Sequence, residues 1–185
     1  MKATGIVRRI DDLGRIVIPK EIRRTMRINE GTPLEIFTDT DNSVTLKKYS
    51  PVMEIRTIAE EYASGLSDVL GCTVLISDSD TMVAVNHGSR KDYYDKGITT
   101  ALAKAIWDKK PVILSSGQAK ASTIPLVEDE ATPLDYLWQC LCPIVAQGDP
   151  IGCVVAFSKT VGVQEESTLC AVKLTAALMA KHIMM

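Results

Sequence analysis

Pro19 marks the sharpest change of pattern in the first thirty residues and limits what they can form. On its N-terminal side, Ile and Val gather in residues 4–10 and 15–18, and Asp11-Asp12-Leu13-Gly14 lies between them. This predicts two strands and a turn, with Gly14 supplying a positive φ. A proline cannot donate to a strand ladder, so the second strand ends there. Its fixed φ suits the start of a helix, which places a short helix over residues 20–26, closed by Asn29-Glu30-Gly31.

Two further strands follow, over 34–38 and 44–49, around the turn Asp39-Thr40-Asp41-Asn42-Ser43. Alternation puts Leu34, Ile36, Val44 and Leu46 on one face and Glu35, Thr45 and Lys47 on the other. The result is a β-β-α-β-β module of about fifty residues, a size at which a single chain has trouble burying enough apolar surface. A symmetric dimer is the economical remedy, and it brings two copies of whatever the module carries close together.

What the module carries is charge. Residues 2–27 hold eight of the chain's 21 Lys and Arg (Lys2, Arg8, Arg9, Arg15, Lys20, Arg23, Arg24 and Arg27) against three acids, Asp11, Asp12 and Glu21; that is +5 in a chain whose net charge is -2. In one helix at about 100° per residue, Lys20, Arg23, Arg24 and Arg27 share a face while Ile22 and Met26 point away. A basic stripe backed by apolar residues is the footprint of something that reads a polyanion, and double-stranded DNA is the expected partner. Arginine suits such positions because its planar fork can hold two phosphate oxygens, or guanine O6 and N7, at once. No helix-turn-helix or zinc finger is recognisable, so shape and deformability are expected to supply much of the sequence preference.

Ser50-Pro51 reads as an N-cap followed by a first-turn proline. Val52, Ile55, Ile58, Ala59, Tyr62, Ala63, Leu66, Val69 and Leu70 then recur at helical spacing, which predicts one amphipathic connecting helix over 51–70. It packs either on the second domain or on its own copy in a partner chain. Beyond Gly71 the pattern turns to apolar strands over 72–77, 82–85, 137–145 and 151–157, with helices over 98–109 and 164–184. That order describes an α+β domain, an antiparallel sheet flanked by helices, over 71–185. Ala146-Gln147-Gly148-Asp149-Pro150 reads as a five-residue hairpin loop, and 115–134 as a long loop of the kind that often carries function.

The five cysteines, Cys72, Cys140, Cys142, Cys153 and Cys170, are an odd number and mostly lie in apolar runs. Buried thiols are expected rather than disulfides, and Cys140-x-Cys142 with only His87 and His182 elsewhere is a poor metal signature. There is no run of about 18 apolar residues and no apolar signal core, which points to the cytoplasm and away from membranes. No phosphate loop, nucleophile motif or metal cluster is visible, so neither an enzyme nor a cofactor is expected. His87-Gly88-Ser89 reads as a surface turn.

The stretch TGIVRRIDDLGRIVIPKEIRR, with LEIF and VTLKKY after it, resembles the AbrB-type swapped-hairpin DNA-binding domain of bacterial transition-state regulators over residues 1–50. The similarity continues through SPVMEI to PIVAQGDPIGCVVAFSK at 143–159, so the whole chain resembles the sporulation regulators of spore-forming Firmicutes that carry this domain. The resemblance implies two chains interleaving their hairpins into one barrel, with Arg8, Arg15, Arg23 and Arg24 on DNA. It implies a GAF-like domain over 71–185 that binds a small molecule or mediates dimer or tetramer formation, and a role in activating or repressing late forespore genes. The N-K-F-D-E arrangement of cyclic-nucleotide GAF domains is not recognisable, and the effector is left unnamed. Its candidate lining is Ser89, Arg90, Lys91, Asp92 and Tyr93 on one loop and Ser115, Ser116 and Ser122 on another.

Two other readings compete. Some antitoxins use the same swapped hairpin, but with a short polar tail where residues 51–185 are apolar and patterned. A metabolite-binding enzyme would need a nucleophile or a base in the second domain that the sequence does not display.

Overall fold

The turn at Asp11 forms as its residues require. The Asp11 carboxylate accepts from the backbone N–H of Leu13 and Arg15 at 3.1 and 2.8 Å, the Asp11 N–H donates to the Arg15 carbonyl at 3.0 Å, and Gly14 takes φ +76°. The structure is a computed structural model that describes residues 5–86, 90–115, 123–128, 136–160, 162 and 164–184. It divides into two units, Met1–Tyr49 and Ser50–Met185.

In the first unit, the segments flanking the Asp11 turn form no strand among the described residues, contrary to the strands expected there. A strand exists only by a ladder of paired backbone groups, and beyond the Asp11–Arg15 bond that closes the turn no such ladder forms here among the described residues. After buried Pro19 comes α1 (Lys20–Thr25), one residue shorter than expected. Its end departs from the expected stripe. Arg27 is left-handed at φ 52°, its N–H donating to the Arg24 carbonyl at 3.3 Å while the Ile28 N–H donates to the Arg23 carbonyl at 2.8 Å. That paired closure satisfies the last carbonyls of the helix, and it takes Arg27 out of the helical face that holds Lys20, Arg23 and Arg24.

Strands β1 (Leu34–Thr38) and β2 (Val44–Lys48) pair antiparallel, with Ile36 opposite Leu46 and Glu35 opposite Lys47. Lys47 Nζ also lies 4.6 Å from the centroid of the Phe37 ring. Among the described residues of this unit no Ala, Val, Ile, Leu, Met, Phe or Tyr is buried; Val7 is 84% exposed and Val17 72%.

The second unit opens with α2 (Pro51–Glu54), capped by the Ser50 hydroxyl accepting from the Met53 N–H at 3.2 Å. The single helix expected over 51–70 is interrupted at Ile55, whose φ -100° and ψ 30° separate α2 from α3 (Arg56–Leu70). Five strands form one antiparallel sheet: β3 (Thr73–Asp78), β4 (Met82–Val85), β5 (Val112–Ser115), β6 (Trp138–Ala146) and β7 (Asp149–Ser158), in the order β4-β3-β7-β6-β5. Strand β5 falls outside the expected set. The β6–β7 connection is tighter than expected. Only Gln147 and Gly148 turn, at φ 53° and 91°, the two positive angles that a two-residue hairpin needs, and Asp149 and Pro150 already belong to β7.

The side chains of the sheet alternate between two cores. Val74, Ile76, Cys140, Cys142, Val154 and Ala156 face Ala59, Ala63 and Leu66 of α3 and Val172, Ala176 and Met179 of α6 (Glu165–Ile183). Leu75, Leu141, Val155 and Phe157 face Leu102 and Ile106 of α5 (Thr100–Trp107), together with Leu126, Tyr136 and Tyr93 of α4 (Arg90–Tyr93). Two residues expected inward are not: Val69 is 78% exposed and Leu178 38%. Each lies one residue to the side of its helix's buried stripe.

The piece of the long loop that can be described is anchored from the sheet. The Ile124 N–H donates to Gln139 Oε1 and Gln139 Nε2 donates to the Ile124 carbonyl, both at 2.8 Å. This satisfies a fully buried amide that would otherwise cost about 1–3 kcal/mol.

Candidate functional site

The basic residues of the first unit fall into three classes. Arg15 is oriented: Asp11 Oδ2 accepts from its Nε at 2.8 Å, while Oδ1 holds the backbone N–H of the same residue. Those bonds from Arg15, backbone first, keep the Asp11 carboxyl below its ordinary range. With Nε committed, the two terminal nitrogens of Arg15 remain on an exposed side chain. Arg23 is also held, its Nε donating to the Ile18 carbonyl at 3.2 Å, and an Arg8 terminal nitrogen reaches the Val7 carbonyl at 3.4 Å.

Arg9, Lys20 and Arg24 are exposed and have no ion pair among the described residues. Arg27 is half-buried and set apart by its left-handed backbone. Lys2 lies outside the described residues. The role of Asp11 was not legible from charge alone, since an acid in a basic stretch reads as neutralisation. The signal was the turn itself, where Asp followed by Gly three residues later holds the next strand's first arginine.

The candidate ligand residues do not form one site. Arg90 pairs with Glu60 of α3 at 3.3 Å and stacks over the Tyr94 ring at 3.8 Å. Arg56 covers the same ring at 4.8 Å and pairs with Asp95 at 2.5 Å. Tyr93 is buried, its hydroxyl 2.9 Å from that of Tyr136. Ser115 ends β5, the edge strand opposite β4, and Lys91 is exposed on α4. Ser89, Ser116 and Ser122 lie outside the described residues.

Of the described members of that set, Asp92 and Tyr93 line a cleft. Its volume is about 640 Å3, and Ser67, Asp68, Cys72, Thr73, Lys159 and Thr160 contribute to its wall. These come from α3, the start of β3 and the end of β7, a distribution that no local spacing in the sequence displays.

The cysteines are thiols. Burial pushes Cys72 up to about 11 and Cys140 to about 12, and raises Cys142 and Cys153 as well. Among the described residues no cluster of His, Cys, Asp and Glu could hold a metal ion, and no helix is long and apolar enough to cross a membrane.

The chain carries an exposed basic module followed in sequence by a helix-flanked antiparallel sheet, and comparison with known proteins gives the family. A family model described as stage V sporulation protein T C-terminal, transcription factor, matches residues 54–184. Another, described as antidote-toxin recognition MazE, bacterial antitoxin, matches residues 7–53. The stage V sporulation protein T of Bacillus subtilis (strain 168) is 48% identical over 185 residues, 99% of each chain. The transition state regulatory protein AbrB of the same organism is 53% identical over 60 residues, 32% of this chain and 62% of its own.

The blue-light absorbing form of the Thermosynechococcus elongatus PixJ GAF domain has a TM-score of 0.56 at 16% identity, covering 74% of this chain and 88% of its own. That likeness shows the fold of the second unit. The chain belongs to the stage V sporulation protein T family: it is a sporulation transcription regulator, AbrB-like in its first unit and GAF-like in its second.

Proposed function

We propose that two copies of the chain interleave their first units into one barrel that grips double-stranded DNA through Arg8, Arg15, Arg23 and Arg24, with Arg9, Lys20, Arg27 and Lys2 adding charge. On this reading the protein regulates late forespore genes from the cytoplasm, as a homodimer or homotetramer. The observation that carries it is the first unit's surface. Among the described residues the segments flanking the Asp11 turn form no strand, most of the unit's apolar residues are exposed, and Arg9, Lys20 and Arg24 have no ion pair. A second copy supplies the missing strand partners and covers the apolar face, and the arginines then present a doubled positive surface to phosphates.

The antitoxin reading, which the family match of the first unit brings up, asks for a short polar tail. Residues 50–184 instead contain a two-core folded unit. The second unit is proposed to respond to a small effector rather than to catalyse a reaction.

Fluorescence anisotropy of the full chain on a preferred duplex tests the proposal. Arg24→Ala removes one guanidinium per copy and is expected to weaken binding by at least about tenfold, given what a charge-assisted hydrogen bond contributes. Unchanged affinity in both Arg24→Ala and Arg15→Ala would remove these residues from the interface.

A further inference from the structure

The cleft lined by Asp92 and Tyr93 has a construction that the candidate loop residues alone do not suggest. Two packed, largely buried aromatic rings lie at its base. The Phe157 and Tyr93 rings pack at 5.6 Å and 60°, and the Tyr93 hydroxyl is tied to Tyr136. Its rim is polar and carries charge of both signs on three separate elements: Asp68 at the end of α3, Asp92 on α4, and Lys159 just beyond β7, with its ammonium 5.3 Å from the Tyr136 ring centroid. Among the described residues none of these three charges has an ion-pair partner.

The wall between them is fixed by hydrogen bonds. The Ser67 hydroxyl donates to the Cys72 carbonyl at 2.6 Å and accepts from Asn86 Nδ2 at 2.8 Å. The other amide atom of that side chain, Asn86 Oδ1, is buried without a hydrogen-bond partner among the described residues. A volume of about 640 Å3 falls in the range of small-molecule sites.

We infer that this cleft takes a free α-amino acid, its carboxylate on Lys159 and its ammonium on Asp92 and Asp68, with the side chain over Phe157 and Tyr93. A simple anion would satisfy Lys159 and be repelled by two carboxylates; a simple cation would leave Lys159 unanswered. A small zwitterion answers both, and the two rings give a side chain something to rest on. The inference rests on reading the second unit as an effector-binding domain, and it names the chemistry of that effector.

Isothermal titration of the full chain with the twenty common L-amino acids provides the test. Each binder is repeated as its decarboxylated amine and its deaminated carboxylic acid, and against the Lys159→Gln and Asp92→Asn variants. Both substitutions are at exposed positions, so the fold should survive, which circular dichroism checks. At least one amino acid should bind, and loss of either ligand charge, or of Lys159 or Asp92, should weaken it about tenfold or more.

The inference is overturned if no amino acid binds, if a single-charge analogue binds as tightly, or if both variants leave affinity unchanged. A wider panel of organic acids, amines, sugars and nucleotides separates the two ideas. Binding of one of these without any amino acid removes the zwitterion and keeps the effector domain, while silence across the whole panel removes both.

Discussion

At the scale of single residues, Asp11 does the opposite of what its charge suggests. A carboxylate within a DNA-binding surface should repel phosphate, yet this one accepts from Arg15 through Oδ2 at 2.8 Å and closes the turn through Oδ1. Asp11→Ala therefore separates charge from positioning. If long-range charge alone governed affinity, the variant would bind DNA more tightly. With Arg15 positioned as described, binding should weaken about three- to tenfold as the side chain regains rotamer freedom, and a gain in affinity would contradict the positioning role.

The buried thiols make a second residue-scale prediction. Because burial raises Cys72 to about 11 and Cys140 to about 12 from 9.0, the unfolded chain loses these protons first as pH rises. Their contribution to stability is complete below about pH 9 and is lost as pH climbs through the folded values. Urea melts between pH 8 and 11 should show stability falling with pH. Substituting Cys140 by Ala or Ser should lessen that slope, and an unchanged slope would count against the shift. Alkylation at pH 8 of the native protein should mark exposed Cys170 well ahead of Cys140 and Cys153.

At the scale of elements, β3, β4, β6 and β7 of the second unit were legible because each is an apolar run bounded by turn residues. The exact turn was not. Gly148 in the stretch around 146–150 announced a hairpin, but whether Asp149-Pro150 belonged to the loop depended on their pairing with Ala146 and Val145 of β6, past a register shift at Ile144/Val145 that no local spacing displays. Strand β5 was missed for the same reason. Its four residues are only half-buried and are strand by virtue of pairing with β6.

The break at Ile55 also left little trace, because Val52 and Ile55 keep helical spacing through it. Arg27 was misplaced because a left-handed closure is normally announced by glycine, and here an arginine occupies it. Gly152 is the place where the sheet tolerates least. A Cβ there would come within 2.1 Å of the Ser77 carbonyl oxygen, and both lie on paired central strands that cannot part without loss of hydrogen bonds. Gly152→Ala should destabilise the unit by about 3 kcal/mol. Thermal or urea denaturation reads this directly, and a change under about 0.5 kcal/mol would show that the strands are not so closely apposed.

Across the whole molecule, the candidate interface was read more readily than the cleft. Basic residues cluster within thirty positions, whereas Ser67, Asp92 and Lys159 meet only because the sheet brings the ends of α3, β3 and β7 together. The proposed dimer accounts for the first unit's exposed Ile, Val and Leu side chains.

In the proposed assembly, a dimer of this chain grips DNA phosphates through Arg8, Arg15, Arg23 and Arg24 of each copy. The dependence of DNA affinity on salt measures it most directly. Eight neutralised phosphates give a slope of log K against log salt of about -7, at roughly -0.9 per phosphate. Losing one arginine per copy, as in Arg15→Ala, should reduce that slope by about 2. A wild-type slope near -7 that falls to about -5 in the variant is the predicted result; a slope near zero on a preferred duplex would contradict it.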